Sequence, residues 1–222
     1  MYPTWPLSLP RSGALRPFVS PRARRTVRCA PVSISTKRGD GGTTGLLFGG
    51  RVRKDSARVA TIGAIDEAQA AIGLARAEAR ADRGGADIDE ELTGLERDLW
   101  VLMAEVATAP RNRAKLVAGV SFVTADMVDG IEARVHELEA SRVAPAEFVV
   151  PGQNRTSATL DLARTVVRRA ERHAVGLALG NESSVVPYLN RLSDLCWLLA
   201  RAFEEEHLMA RSGRVRAPRA KE

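Results

Sequence analysis

An all-α bundle of five helices is the fold this chain predicts, and three observations carry the prediction. Apolar residues recur at a helical period through most of the sequence after residue 50, the segments so patterned are long, and their connections are short. No stretch alternates in the way a convincing strand would, and no internal repeat is present. At 222 residues the chain is long enough to bury one full core with a tail to spare.

The elements follow in order. Residues 1–35 have no helical period and carry six arginines (Arg11, Arg16, Arg22, Arg24, Arg25, Arg28) without one acidic residue, so they read as a disordered basic leader. Such a composition also suits an organelle transit peptide, although its prolines oppose the amphipathic helix those peptides form; a plain tail or an over-extended start are the other readings. The folded domain then spans residues 36–211. Residues 59–81 form a first helix, in which Gly63 and Gly73 allow close helix approach, and residues 89–108 form a second, stopped by Pro110. Thr124 caps a third that runs through Glu139, with Asp126 in its first turn. After an extended break at 145–152, Asn154 caps a fourth reaching about Leu179. Ser183, Ser184 and Pro187 open a fifth that ends near Arg211, and residues 212–222 read as a frayed tail.

Composition narrows the function classes. The chain has 33 basic and 27 acidic residues, a net charge of +6, but residues 1–39 supply eight of the basic ones and none of the acidic. The remaining 25 basic and 27 acidic residues leave the body near −2, which argues against a nucleic-acid binder. No segment approaches the roughly 18 consecutive apolar residues of a membrane span. Cys29 and Cys196 give neither a disulfide framework nor metal spacing, and a reducing compartment follows. The expected location is the cytoplasm, or the mitochondrial matrix if the leader is a transit peptide. His136, His173 and His207 are too far apart for a local ligand motif and read as surface residues, and no metal ligands are assigned.

Chemistry concentrates in a few segments. Arg164, Arg168 and Arg172 stack at i, i+4 and i+8 on one face of the fourth helix, with Arg169 and Glu171 beside them. Like charges at that spacing cost an isolated helix a few tenths of a kcal/mol per pair. Two readings stay open here: a solvated face partly neutralised by Asp161 and Glu171, or a site for a phosphate chain. The Gly- and Thr-rich run at 36–50 lacks the spacing of a Walker loop, and is either a flexible linker or a backbone cradle for an anion. The basic cluster Arg51-Val52-Arg53-Lys54-Asp55 precedes the first helix, which carries Asp66-Glu67; an acid pair facing inward needs a partner, and the arginines of helix four are candidates.

Taken together, six ordered segments resemble the PduO-type ATP:cob(I)alamin adenosyltransferases, the corrinoid adenosyltransferase family. They are Thr36-Lys37-x-Gly39-Asp40-x-Gly42-Thr43-Thr44, Arg51-Val52-x-Lys54-Asp55, Asp66-Glu67, Phe148-x-x-Pro151-Gly152, Ala163-Arg164-Thr165-x-x-Arg168-Arg169-Ala170-Glu171-Arg172 and Asn190-Arg191-Leu192-Ser193-Asp194. The likeness covers about residues 36–211. It implies a ferritin-like five-helix bundle of the cobalamin adenosyltransferase type, assembled as a homotrimer with sites between subunits. It also implies transfer of the 5′-deoxyadenosyl group of ATP to the cobalt of reduced cob(I)alamin or a corrinoid precursor, giving adenosylcobalamin and tripolyphosphate.

By the same resemblance, Thr36, Lys37, Arg38, Gly39, Thr44, Gly45 and Lys54 surround ATP, and Arg168, Arg169, Glu171, Arg172 and Asn190 complete its site. Arg168 is the expected leaving-group stabiliser, with Mg²⁺ bridging phosphate oxygens, and Arg164 is expected to pair with Asp66. Phe148 is expected to occupy the lower corrin face and keep the axial base off cobalt. A flavoprotein reductase and an adenosylcobalamin-dependent mutase are the implied protein partners, and a corrinoid escort with little turnover is the alternative role. The sequence departs from the family pattern at Gln153, Gln69 and Ser35, none of which carries a chemical role in this reading.

Overall fold

The computed structural model describes residues 35–80, 85–141, 145, 147–177 and 179–211. Nearly all of the expected leader and the whole of the expected tail at 212–222 lie outside the described residues. By its contacts the chain divides into Met1–Thr36 and Lys37–Glu222, and the second unit holds the bundle.

Five helices form as the periodicity predicts: α1 (Ala57–Ala79), α2 (Gly85–Val106), α3 (Ala125–Ala140), α4 (Arg155–Val175) and α5 (Val185–Ala202). The caps explain several of these bounds. Ser56 accepts from the Val59 amide to start α1, and Thr124 accepts from Met127 to start α3. Asn154 and Ser157 form a reciprocal capping box at the head of α4. α4 packs between α1 and α5, α2 lies against α1, and α3 lies against α5. The core is their shared apolar face, including Ile65, Ile72, Leu92, Leu99, Leu160 and Leu192. Among the described residues no helix is long and apolar enough to cross a membrane.

Three expectations are corrected. Strands do occur: β1 (Thr43–Gly45) and β2 (Arg51–Arg53) pair antiparallel, joining the glycine run and the basic cluster into one hairpin. They are too short and polar to show a strand period, because the ladder rather than burial holds them. Next, α5 stops at Ala202 instead of continuing to about Arg211. Beyond it Val150 donates to Leu208 O (2.7 Å) and Ala210 donates to Phe148 O (2.8 Å), so this segment spends its backbone bonds on the extended residues 148–150 around an isolated bridge. Finally, Gly63 is exposed and a Cβ placed on it would meet nothing within 4 Å, whereas one on Gly73 would lie 2.7 Å from the Glu96 carboxylate. Only the second glycine serves a close approach within the chain.

Candidate functional site

The hairpin is cross-braced before any ligand arrives. Arg51 donates to Arg38 O (2.7 Å), to Thr43 O (3.1 Å) and to Thr43 Oγ1 (2.8 Å), tying the loop to the strand that follows it. Tight turns at Asp40 N to Lys37 O and Gly42 N to Gly39 O shape the segment, with Lys37 at φ 56° and Gly42 at φ 75° in the left-handed region. A Cβ on Gly39 would sit 2.8 Å from Lys54 Nζ, so glycine is what lets that ammonium lie over the loop. Thr44 pairs with Val52, and Gly45 with Arg51, in the ladder. Arg53 is neutralised by Asp55 at 2.5 Å, yet Lys37, Arg38 and Lys54 have no ion pair among the described residues. Thr36 is exposed and belongs to the first unit.

A buried carboxylate fixes the bundle end on which this hairpin sits. Glu105 accepts from Arg113 (3.1 Å), from Ser183 Oγ (2.7 Å) and from the Val123 amide (2.8 Å), joining α2 to the segments that lead into α3 and α5. Leu47 N donates to Ala107 O, and Asn112 donates to Phe48 O, which docks the hairpin tip on the C-terminal end of α2. Thr61 near the start of α1 donates to His173 O near the end of α4, so the hairpin and the last turns of α4 share one end of the molecule.

Along α4 the arginine stripe divides. Arg168 and Arg172 are exposed and make no ion pair among the described residues. Arg172 instead donates to Arg168 O (3.0 Å), in the last turn where a cation suits the helix dipole, and this offsets part of the like-charge cost. Arg169 pairs with Glu67 of α1. Glu171 accepts from Asn190 Nδ2 (3.0 Å), and Asn190 Oδ1 accepts from Arg191 (2.9 Å). Burial raises the Asp194 carboxyl above its ordinary value, opposed by Arg191 and Arg168.

Arg164 differs from the stripe's other members. Its side chain lies 3.8 Å from Asp161, and the expected partner Asp66 makes no ion pair among the described residues. Asp66 instead lines a groove of about 390 Å³ between α1 and α2, with Gln69, Glu96, Arg97 and the 63% exposed Trp100. The expected Arg164–Asp66 pair is therefore not formed among the described residues: Arg164 lies by Asp161 and Asp66 lines the α1–α2 groove.

Phe148 is 83% exposed, and its extended segment is held by the residues that follow α5. The residues at and just after the end of α5 hold a buried ionic cluster that no sequence pattern announced. Arg201, with a side chain 1% exposed, donates to Asp161 (2.5 Å) and to Glu204 (3.0 Å), and Glu204 also meets His207 Nδ1 (2.9 Å). His207 is therefore a partner within this cluster and not the free surface histidine its sequence context suggests. Asp161, expected to be solvated, is buried. The available signals were the i,i+3 spacings Asp161–Arg164, Arg201–Glu204 and Glu204–His207, which are equally common on solvated faces.

Comparison with known proteins bears directly on this geometry. The family described as cobalamin adenosyltransferase matches residues 34–203. A corrinoid adenosyltransferase of Bacillus subtilis is 37% identical over 185 residues, 82% of this chain and 89% of the relative. Another from Mycobacterium tuberculosis is 38% identical, over 76% of this chain and 86% of the relative. Among solved structures, a variant PduO-type ATP:corrinoid adenosyltransferase from Lactobacillus reuteri, complexed with cobalamin and ATP, superposes with a TM-score of 0.70. It is 25% identical and spans 82% of this chain and 98% of its own. The match runs through the hairpin, all five helices and the divided arginine stripe: the chain belongs to the cobalamin adenosyltransferase family.

Proposed function

We infer that this chain transfers the 5′-deoxyadenosyl group of ATP to the cobalt of a reduced corrinoid. The carrying observation is a set of cations that make no ion pair among the described residues, Lys37, Arg38 and Lys54 on a braced hairpin and Arg168 and Arg172 on α4, at one end of a family-matched bundle. Co(I) attacks C5′ of ATP, the bond from C5′ to the triphosphate oxygen breaks, and the electron pair leaves with tripolyphosphate. Negative charge grows on the leaving group, so the demand on the protein is for positioning and preorganised positive charge rather than for a general base.

Lys37, Arg38, Gly39 and Lys54, with Thr44 and Gly45 in the adjoining ladder, fit the phosphate-facing role. Arg168 is the leaving-group stabiliser, and Arg172 and Arg169 extend its field. Asn190 orients Glu171, which is the carboxylate in this set suited to a Mg²⁺ held mainly by phosphate oxygens and water. Bound there, Mg²⁺ would supply neutralising charge to the triphosphate. Phe148, projecting into solvent, suits the lower face of the corrin.

The assembly this reading requires is a homotrimer. Arg164 of one subunit would meet Asp66 of the next, and the exposed Trp100 and Leu162 would be covered in the same contact. In the cytoplasm, a flavoprotein reductase would supply the electrons and an adenosylcobalamin-dependent mutase would consume the product. Anaerobic incubation with ATP, Mg²⁺ and chemically reduced cobalamin should yield light-sensitive adenosylcobalamin and tripolyphosphate, with a trimer by sedimentation. A folded trimer that forms no product would refute the assignment.

A further inference from the structure

We propose that Arg201 and Glu204 are positioning residues for Phe148, acting through a strap formed by residues 204–210. The proposal rests on the corrin-facing role of Phe148 inferred above. Phe148 has little packing of its own, since most of its surface is in solvent. What holds its extended segment is the pair of backbone bonds from Val150 N to Leu208 O and from Ala210 N to Phe148 O, around the isolated bridge Val149–Met209.

That strap has one deep anchor. Glu204, its first residue, has a fully buried side chain that accepts from Arg201 at 3.0 Å and meets His207 at 2.9 Å. Arg201 is held in turn by Asp161 of α4, and Arg201 also stacks over Trp197 at 5.8 Å. Arg164 lies against the same Asp161, so the ion cluster reaches from the strap to the arginine expected at the subunit boundary. A second tie fixes the other side of the break: Asn154, the cap of α4, donates to Phe203 O at 2.6 Å. The chain after Phe148 and the chain after α5 are thereby tied to each other and to the ends of α4 and α5.

An aromatic ring that must exclude an axial base from cobalt needs a fixed height above the corrin, and a displacement of about 1 Å in a reacting geometry can cost on the order of a hundredfold. Arg201 and Glu204 would set that height without touching substrate. Two variants separate this role from bulk stability. Ala210→Pro removes the amide that bonds Phe148 O and leaves the ion cluster intact; Glu204→Gln keeps the shape and weakens the anchor.

The measurement is the fraction of base-off Co(II)alamin bound with ATP, read by the loss of axial nitrogen hyperfine structure in electron paramagnetic resonance, beside kcat and the KM for ATP. Both variants should lower the base-off fraction and reduce kcat by about tenfold while the KM for ATP stays within about twofold. Phe148→Ala is the control for the underlying reading. If it keeps the wild-type spectrum, the role of Phe148 is wrong. If it loses the base-off signal while Ala210→Pro and Glu204→Gln keep theirs, Phe148 stands and the strap proposal is overturned. Should Glu204→Gln fail to fold, Ala210→Pro decides alone.

Discussion

The two ends of the bundle each hold a loop through buried charge, but they do so differently. At the hairpin end, one carboxylate, Glu105, takes three donors from three separate stretches of chain. At the strap end, one guanidinium, Arg201, serves two carboxylates, of which Glu204 is only three residues away and belongs to the strap itself. The first arrangement is part of the core: without it, α2 and the entries to α3 and α5 lose their common point. The second joins α4 to α5 through Asp161 and Arg201 and, through Glu204, fastens the added segment to that pair. The lesson is that buried ionic groups of similar appearance differ by which elements they join, so one end should govern stability and the other the placement of a side chain.

The largest expected effect tests that difference. Glu105→Ala leaves the Val123 amide and Ser183 without this acceptor and Arg113 with only the exposed Glu182, and should cost about 3–5 kcal/mol in chemical denaturation. Glu204→Gln should shift the midpoint much less; equal shifts would erase the distinction between the ends. Next in size is Arg168→Ala, exposed and free of ion pairs among the described residues. Stability should hold within about 0.5 kcal/mol, while turnover falls by on the order of 3 kcal/mol in transition-state terms. Wild-type kcat in this variant would remove Arg168 from the reaction.

The smallest effect concerns Asp98, two turns before Glu105 on α2. Its carboxyl accepts from the buried Tyr188 hydroxyl at 2.8 Å, and burial nevertheless raises it above its ordinary value. A raised value means that the folded chain holds the proton more tightly than the unfolded one. The contribution is therefore complete below the unfolded value and is lost as pH rises through the folded one. Asp98→Asn should gain stability relative to the parent as pH is raised from about 3 to about 6. A stability difference that does not vary with pH would place this carboxyl outside the electrostatics of the hairpin end.

Much of the fold was legible because periodicity and caps are local. Asn154 and Thr124 act on their own neighbours and start α4 and α3 as read, whereas α2 already ends at Val106 and Pro110 opens a short 3-10 helix, Pro110–Lys115. The candidate site was legible in part. The glycine run and Arg51 could be recognised by type, but that Arg51 braces the loop depends on a ladder register that three-residue strands do not announce. Asp161 and Arg164 looked like members of one solvated face, and only the packing of α5 against α4 brings Arg201 to the first of them.

The sequence by itself determined the five helices and most of their ends, since each of these follows from short-range spacing and local hydrogen bonding. Tertiary structure alone decided which charges are free and which are bound. Arg168 and Arg164 are the same residue four positions apart, yet one faces water and the other lies beside a buried carboxylate. That outcome depends on partners up to 40 residues away, Arg201 to Asp161, whose encounter is set by helix packing and not by any local preference of the chain.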